Sequence, residues 1–202
     1  MAGYGPDTAL LVVDVQNDFA DPAGSLSVRG GEAVIPVLNA EIAAAAAAGA
    51  SLVYTQDWHP PVTPHFAKDG GIWPVHCVAD SWGAALHPTL TVVGPVVRKG
   101  VGGEDGYSGF AVREPGGDDR QDTELEPILR GQNIRRVVIG GLATDYCVRA
   151  TALDALARGF DTTVLLDGVA AVDLEPGDGD RALDEIRRAG ASLVTAGSAP
   201  TS

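Results

Sequence analysis

Two short runs rich in aliphatic residues, 9–15 and 134–139, show no regular alternation of apolar and polar positions, and this limits the folds open to the chain. A strand with one wet face alternates with period two. A strand buried on both faces does not, and such strands sit at the centre of parallel sheets covered by helices on either side. Parallel neighbours need long crossovers, and the chain supplies them. Residues 32–48 carry Ile35, Leu38 and Ile42 on one helical stripe, with Pro36 confined to the first turn and Gly49 closing the helix. A second strand follows at 51–55. Further strands are predicted at 90–97, 162–166 and 191–195, with helices at about 122–129, 145–158 and 178–189. This alternation predicts an α/β fold, a three-layer doubly wound sheet of about six mainly parallel strands with helices on both faces. With 202 residues the chain is expected to form a single domain over 1–202, ending in a loose C-terminal tail, GSAPTS, at 197–202.

Charge narrows the partners. Acidic residues number 27 against 14 basic, a net charge of −13, so no basic stripe exists to neutralise nucleic-acid phosphates or an anionic membrane surface. The alanine run at 43–48 is too short and too weakly apolar to span a bilayer. Two cysteines, Cys77 and Cys147, do not make a disulfide scaffold, and the N-terminus carries no signal-peptide pattern. The expected compartment is therefore the cytoplasm.

Open α/β sheets place their sites beyond the carboxyl ends of the strands, and three chemically capable residues fall there. Asp14 ends the first strand, Lys99 follows the third, and Cys147 lies just beyond the 134–139 strand in GGLATDYCVR. Each has a bland reading: a loop-capping carboxylate, a solvated lysine, a small buried thiol. Their common edge turns them into one hypothesis. If Thr144 caps the helix that follows, Cys147 occupies its first turn, where free N–H groups and the helix dipole favour a thiolate. An aspartate can accept the thiol proton if burial raises its pKa and a lysine orients it. The N–H groups of Ala143 and Cys147 then face an oxygen developing negative charge. That is acyl transfer through a thioester.

The stretch QDWHPPVTPHFAKDGGIWPVHC, 56–77, holds three of the four histidines. Asp57 and His59, two apart on an extended segment, project to one side, and His65 and His76 arrive by loop. The mixed N and O donors suit a divalent metal such as Zn, Fe or Mn, although the spacing matches no zinc signature and exposed loop histidines are the alternative. His87 reads as a surface or capping residue and Cys77 as buried. The glycine-rich loop at 101–110 lacks a phosphate-binding pattern and, with Tyr107 and Phe110, suits a pocket wall.

The segments DVQNDF (14–19), DWH (57–59) with His65, WPVHC (73–77), RKG (98–100), YSGF (107–110) and GLATDYCV (141–148) together resemble the isochorismatase-like cysteine hydrolases, most closely the nicotinamidase group, also called pyrazinamidases. The resemblance implies hydrolysis of nicotinamide to nicotinate and ammonia, and of pyrazinamide likewise. It implies Asp14, Lys99 and Cys147 as a catalytic triad, and a cis peptide at Leu142–Ala143. Asp57, His59, His65 and His76 would hold one metal ion, zinc first with iron or manganese as alternatives, that anchors the pyridine nitrogen. Phe19, Trp73, Tyr107 and Leu142 would border the substrate. The implied partner is a small-molecule amide, with neither nucleic acid nor membrane, and both monomer and homo-oligomer stay open. The competing readings are an amidohydrolase of the same superfamily acting on a carbamoyl or ureido compound, and a catalytically silent small-molecule binder.

Overall fold

The structure, a computed structural model, describes residues 3–117 and 119–197. Its elements are β1 (Thr8–Val13), α1 (Asn17–Ala20), α2 (Val34–Ala47), β2 (Ser51–Asp57), β3 (Val96–Lys99), β4 (Ala111–Arg113), β5 (Arg120–Asp122), α3 (Leu125–Gly131), β6 (Arg136–Leu142), α4 (Arg149–Ala157), β7 (Asp161–Ala170), α5 (Asp178–Arg188) and β8 (Ser192–Val194). Six strands form one sheet in the order β3-β2-β1-β6-β7-β8, every neighbouring pair parallel. The chain steps outward from β1 to β3, then returns to β6 beside β1 and steps outward the other way. The topological switch point therefore lies between β1 and β6, the crevice where sheets of this kind bind ligands.

The missing alternation in β1 has the expected cause. All six of its residues are buried. Leu10 and Val12 pack with Ile35, Leu38 and Ile42 of α2, while Ala9, Leu11 and Val13 pack with Leu125 and Leu129 of α3, Ala152 of α4 and Ile186 of α5. One strand thus feeds two cores, and the result is three layers.

Two segments differ from the sequence reading. The strand expected over 90–97 forms only as β3, because Gly94 and Pro95 break the run and Val92 and Val93 are exposed. Thr91 donates its N–H to Asn39 Oδ1 at 2.8 Å instead of joining the ladder. An edge strand with one wet face alternates, and β3 does: Val97 and Lys99 are buried, Val96 and Arg98 exposed. Ala111–Arg113 and Arg120–Asp122, for which the sequence predicts no strand, form the antiparallel β4–β5 pair outside the main sheet. Of the expected tail, Gly197 donates its N–H to the buried Glu41 at 3.0 Å, and 198–202 lie outside the described residues.

Candidate active site and metal centre

The motif DVQNDF turns out to be structural as much as chemical. Asp14 leaves β1 with φ 49°, which swings the chain off the sheet edge. Gln16, fully buried, then clamps the end of β2: its Nε2 donates to the carbonyls of Asp57 at 2.7 Å and Ala84 at 2.9 Å, and its Oε1 accepts the Asp57 N–H at 2.8 Å. Asp18 accepts the N–H groups of Cys77 at 2.7 Å and Ser25 at 2.9 Å, so the loops around the site hang from one carboxylate. Phe19 reaches the cavity. On the other side of the switch point, Gly141 has φ 126°, and a Cβ there would lie 2.0 Å from the Val13 carbonyl oxygen, so only glycine fits. The Leu142–Ala143 peptide is cis.

Thr144 does not cap the helix that follows. Ala143 is the extended residue at its start, with φ −97° and ψ 152°, and no side chain caps it. The chain makes one π-helical turn, Thr144–Val148, with the Val148 N–H donating to the Ala143 carbonyl at 3.0 Å, before α4 begins. Cys147 lies in that turn, nearly buried.

Asp14, Lys99 and Cys147 meet beneath the cavity. Lys99 Nζ lies 2.7 Å from Asp14 Oδ2 and 3.6 Å from Cys147 Sγ, and it also contacts Asp57 Oδ1 and the Gly106 carbonyl. Thr55 donates its hydroxyl to Asp14 Oδ1 at 2.6 Å. Burial pushes the Asp14 carboxyl up to about 6, against the pull of Lys99 and with the help of Asp57. Asp57 goes the other way. Burial alone would raise it, but Lys99, His59 and His76 hold it well below the usual carboxylate range. Lys99 stays charged because its two carboxylates outweigh its desolvation. The thiol of Cys147 is pushed up by burial, with Asp14 and Asp57 adding to the effect and Lys99 opposing it. The expectation of a thiol lowered by its helix start is therefore reversed: the resting group is a thiol beside a carboxylate of raised pKa. Asp14, Asp57 and Cys147 present donor atoms close enough for a metal, but the Lys99 ammonium contacts all three and already supplies the cation.

The metal-capable group is His59, His65 and His76, all buried, with one ring nitrogen from each lying within 4.8 Å of the others. The donor chemistry fits an ion. Both nitrogens of His59 are buried without a hydrogen-bond partner, a costly arrangement for imidazole unless an ion takes a lone pair. Gly100, at φ 73°, allows the ring in: a Cβ there would fall 2.6 Å from His59 Nδ1. His76 Nδ1 is 2.8 Å from the Pro74 carbonyl and His65 Nδ1 is 2.5 Å from Asp105 Oδ1, so each keeps Nε2 free. Burial lowers His65 and brings His76 down to about 4, which keeps their lone pairs available. Asp57 falls outside the three-histidine group; its Oδ2 lies 3.8 Å from His59 Nε2 while its Oδ1 faces Lys99. It bridges the two clusters.

Beside both lies a cavity lined by Phe19, Trp73, Tyr107, Ala143 and Cys147 together with Asp57, His65 and His76. Trp73 Nε1 donates to the Tyr107 hydroxyl at 2.8 Å. Leu142 does not reach it. That side chain is wholly buried in the α2-side core, one position short of the cavity-lining Ala143. His87 is buried rather than superficial, its Nδ1 2.9 Å from the Thr89 hydroxyl. Sequence reasoning missed Thr55, Asp105, Tyr146 and Val172. Tyr146 sits beside the cysteine in the motif and stacks edge-on against Trp73 at 4.8 Å, and Val172 lines the cavity from beyond β7. Thr55 ends the strand predicted at 51–55, a position that could have marked it; nothing local marked Val172 or Asp105.

The isochorismatase domain family matches residues 8–198. The nicotinamidase of Escherichia coli is 38% identical over 94% of this chain and 95% of its own. The pyrazinamidase of Pyrococcus horikoshii, solved in complex with zinc, superposes with a TM-score of 0.84 at 41% identity, covering 94% of this chain and 99% of that one. PnC1 of L. infantum, solved in complex with nicotinate, gives a TM-score of 0.88 at 35% identity with both chains covered in full. The fold, the switch-point site and these likenesses agree: the chain belongs to the isochorismatase family of hydrolases, closely related to the nicotinamidases and pyrazinamidases.

Proposed function

We propose that the protein is an amidase converting nicotinamide to nicotinate and ammonia, and pyrazinamide to pyrazinoate. The observation that carries the reading is that one cavity is lined both by Cys147, whose thiol lies beside the buried Asp14–Lys99 pair, and by His65 and His76 of the three convergent histidines. The first suits an amide carbon, the second a nitrogen lone pair on the same small molecule. The zinc of the P. horikoshii relative and the nicotinate of the L. infantum relative support this pairing.

His59, His65 and His76, with Asp57 beside them, would hold one divalent ion, zinc in the first instance and iron or manganese as alternatives. Bound there, the ion supplies an electron-pair acceptor for an aromatic ring nitrogen. The remaining work falls to the chain. Phe19, Trp73 and Tyr107 exclude water and hold the ring so that its carboxamide faces Cys147. Asp14, raised to about 6, takes the thiol proton as sulfur adds to the carbonyl carbon. The N–H groups of Ala143 and Cys147 receive the oxyanion. Asp14 returns the proton to the nitrogen, the C–N bond breaks, and ammonia leaves a thioester on Cys147. A water molecule then adds to the thioester, giving its proton to Asp14; the C–S bond breaks and the thiol recovers that proton. Lys99 keeps Asp14 oriented and compensates its charge.

Ammonia release from nicotinamide, pyrazinamide, carbamoylsarcosine and ureidoacrylate, each with and without a chelator, tests the assignment. Turnover of the first two that falls on chelation supports it. Turnover confined to the last two, or indifferent to chelation, overturns it.

A further inference from the structure

Asp105 lies in the glycine-rich loop between β3 and β4, forty residues from His65, with its side chain a quarter exposed. A carboxylate so placed has water available, yet it faces inward, 2.5 Å from His65 Nδ1. The backbone keeps it there. Asp105 and Arg113 exchange two hydrogen bonds, 2.7 and 2.9 Å, at the foot of the β4–β5 pair. Thr63 donates its hydroxyl to the Gly103 carbonyl at 2.7 Å and accepts the His65 N–H at 3.1 Å through the same oxygen. Lys99 holds the loop's far end through the Gly106 carbonyl. Both the ring and the backbone of His65 are therefore tied to residues 103–105. Asp105 itself stands outside the group of side chains able to share one ion, so it acts on the site only through the imidazole.

We propose that Asp105 is a positioning residue for the metal centre: its carboxylate accepts the His65 Nδ1–H, fixing the tautomer that presents Nε2, and aims the ring at the ion. The inference rests on reading the three histidines as a metal site. A carboxylate behind a metal-bound histidine fixes the ring and strengthens the donor, and its loss lowers metal affinity by roughly 10–100-fold. Of the three rings, only His65 is backed by a side-chain carboxylate at Nδ1. His76 has a backbone carbonyl, and His59 has no hydrogen-bond partner.

The test compares zinc affinity, measured by chelator competition, in the wild-type protein, Asp105→Ala and Asp105→Asn. Asp105→Ala should bind zinc about 10–100-fold more weakly, whereas Asp105→Asn, which keeps an acceptor oxygen, should fall between it and wild type. Equal affinities in all three overturn the proposal. A merely structural role for Asp105 would leave the His65 tautomer alone, so long-range ¹H–¹⁵N spectra of the metal-free wild-type protein, with His65 assigned by His65→Gln, give the second readout. The proton must reside on Nδ1; a proton on Nε2 overturns the proposal even if Asp105→Ala fails to fold. Wild-type protein that binds no zinc would instead overturn the metal-site reading itself, an outcome separable from equal binding by all three proteins.

Discussion

Replacing Lys99 by methionine isolates the electrostatic design of the site, because the unbranched stem keeps its packing while the charge disappears. Lys99 is 1% exposed, and its ammonium serves two carboxylates that are themselves 0% (Asp14) and 5% (Asp57) exposed. Removing one partner of a buried ion pair costs about 3–5 kcal/mol. The variant can limit that cost by protonating Asp14, and this fixes the sign of a pH dependence. In the wild type, Asp14 loses its proton at about 6. In Lys99→Met its pKa moves higher, so above pH 6 the folded variant holds one proton that the folded wild type lacks, while the unfolded chains have the same carboxylates ionised. The variant's stability relative to wild type should then fall by about 1.4 kcal/mol per pH unit between pH 6 and the new pKa. Urea unfolding of chelator-treated protein, followed by circular dichroism at about pH 6, 7 and 8, measures both the size and the slope. A destabilisation under about 1 kcal/mol at pH 7, set against the 3–5 expected, or one that does not change between pH 6 and 8, would refute the view that Lys99 compensates two buried charges.

The remaining expectations concern turnover, metal and the loop clamp. Because Asp14 must be ionised to accept the thiol proton, kcat/KM for nicotinamide should drop about tenfold per pH unit below the group's pKa of about 6, and a profile flat to about pH 5 would contradict the assignment of the base. Cys147→Ala should abolish ammonia release while retaining one zinc per chain; residual turnover at the wild-type rate would exclude the covalent route. His59→Ala should lose the metal and raise the apparent KM, and unchanged metal content by elemental analysis would displace the centre from these histidines. Gln16→Leu takes this partner from the Asp57 N–H and carbonyl in the interior, while the Ala84 carbonyl keeps Gln56 Nε2 at 2.8 Å, and should lower stability in denaturant titrations by about 2–4 kcal/mol with the fold intact.

What could be read from the chain alone follows from where each property is encoded. The buried strands were legible because burial on both faces is written into every residue of the run, as in β1. In a parallel sheet, strand ends share an edge, so Asp14, Lys99 and Cys147 could be gathered without any contact being known. Apolar composition misled at 90–97, where Val92 and Val93 lie in an exposed loop, and polar composition misled at 120–122, where all three strand residues are exposed. Both errors have one origin: hydrophobicity reports burial, and only indirectly the pairing of backbones. Leu142 and Ala143 show the same limit at one-residue scale, since the end of β6 divides core from cavity between them. The thiol of Cys147 shows it in electrostatics. The helix start, a local feature, argues for a lowered pKa, whereas burial, with Asp14 and Asp57 from two other strands adding to it, raises the pKa. Asp105 is the extreme case, a residue whose use depends wholly on a partner forty positions away. A motif scan can nominate atoms that bear chemistry. The groups that orient those atoms, Thr55 behind Asp14 and Asp105 behind His65, carry no special chemistry of their own, and only packing selects them.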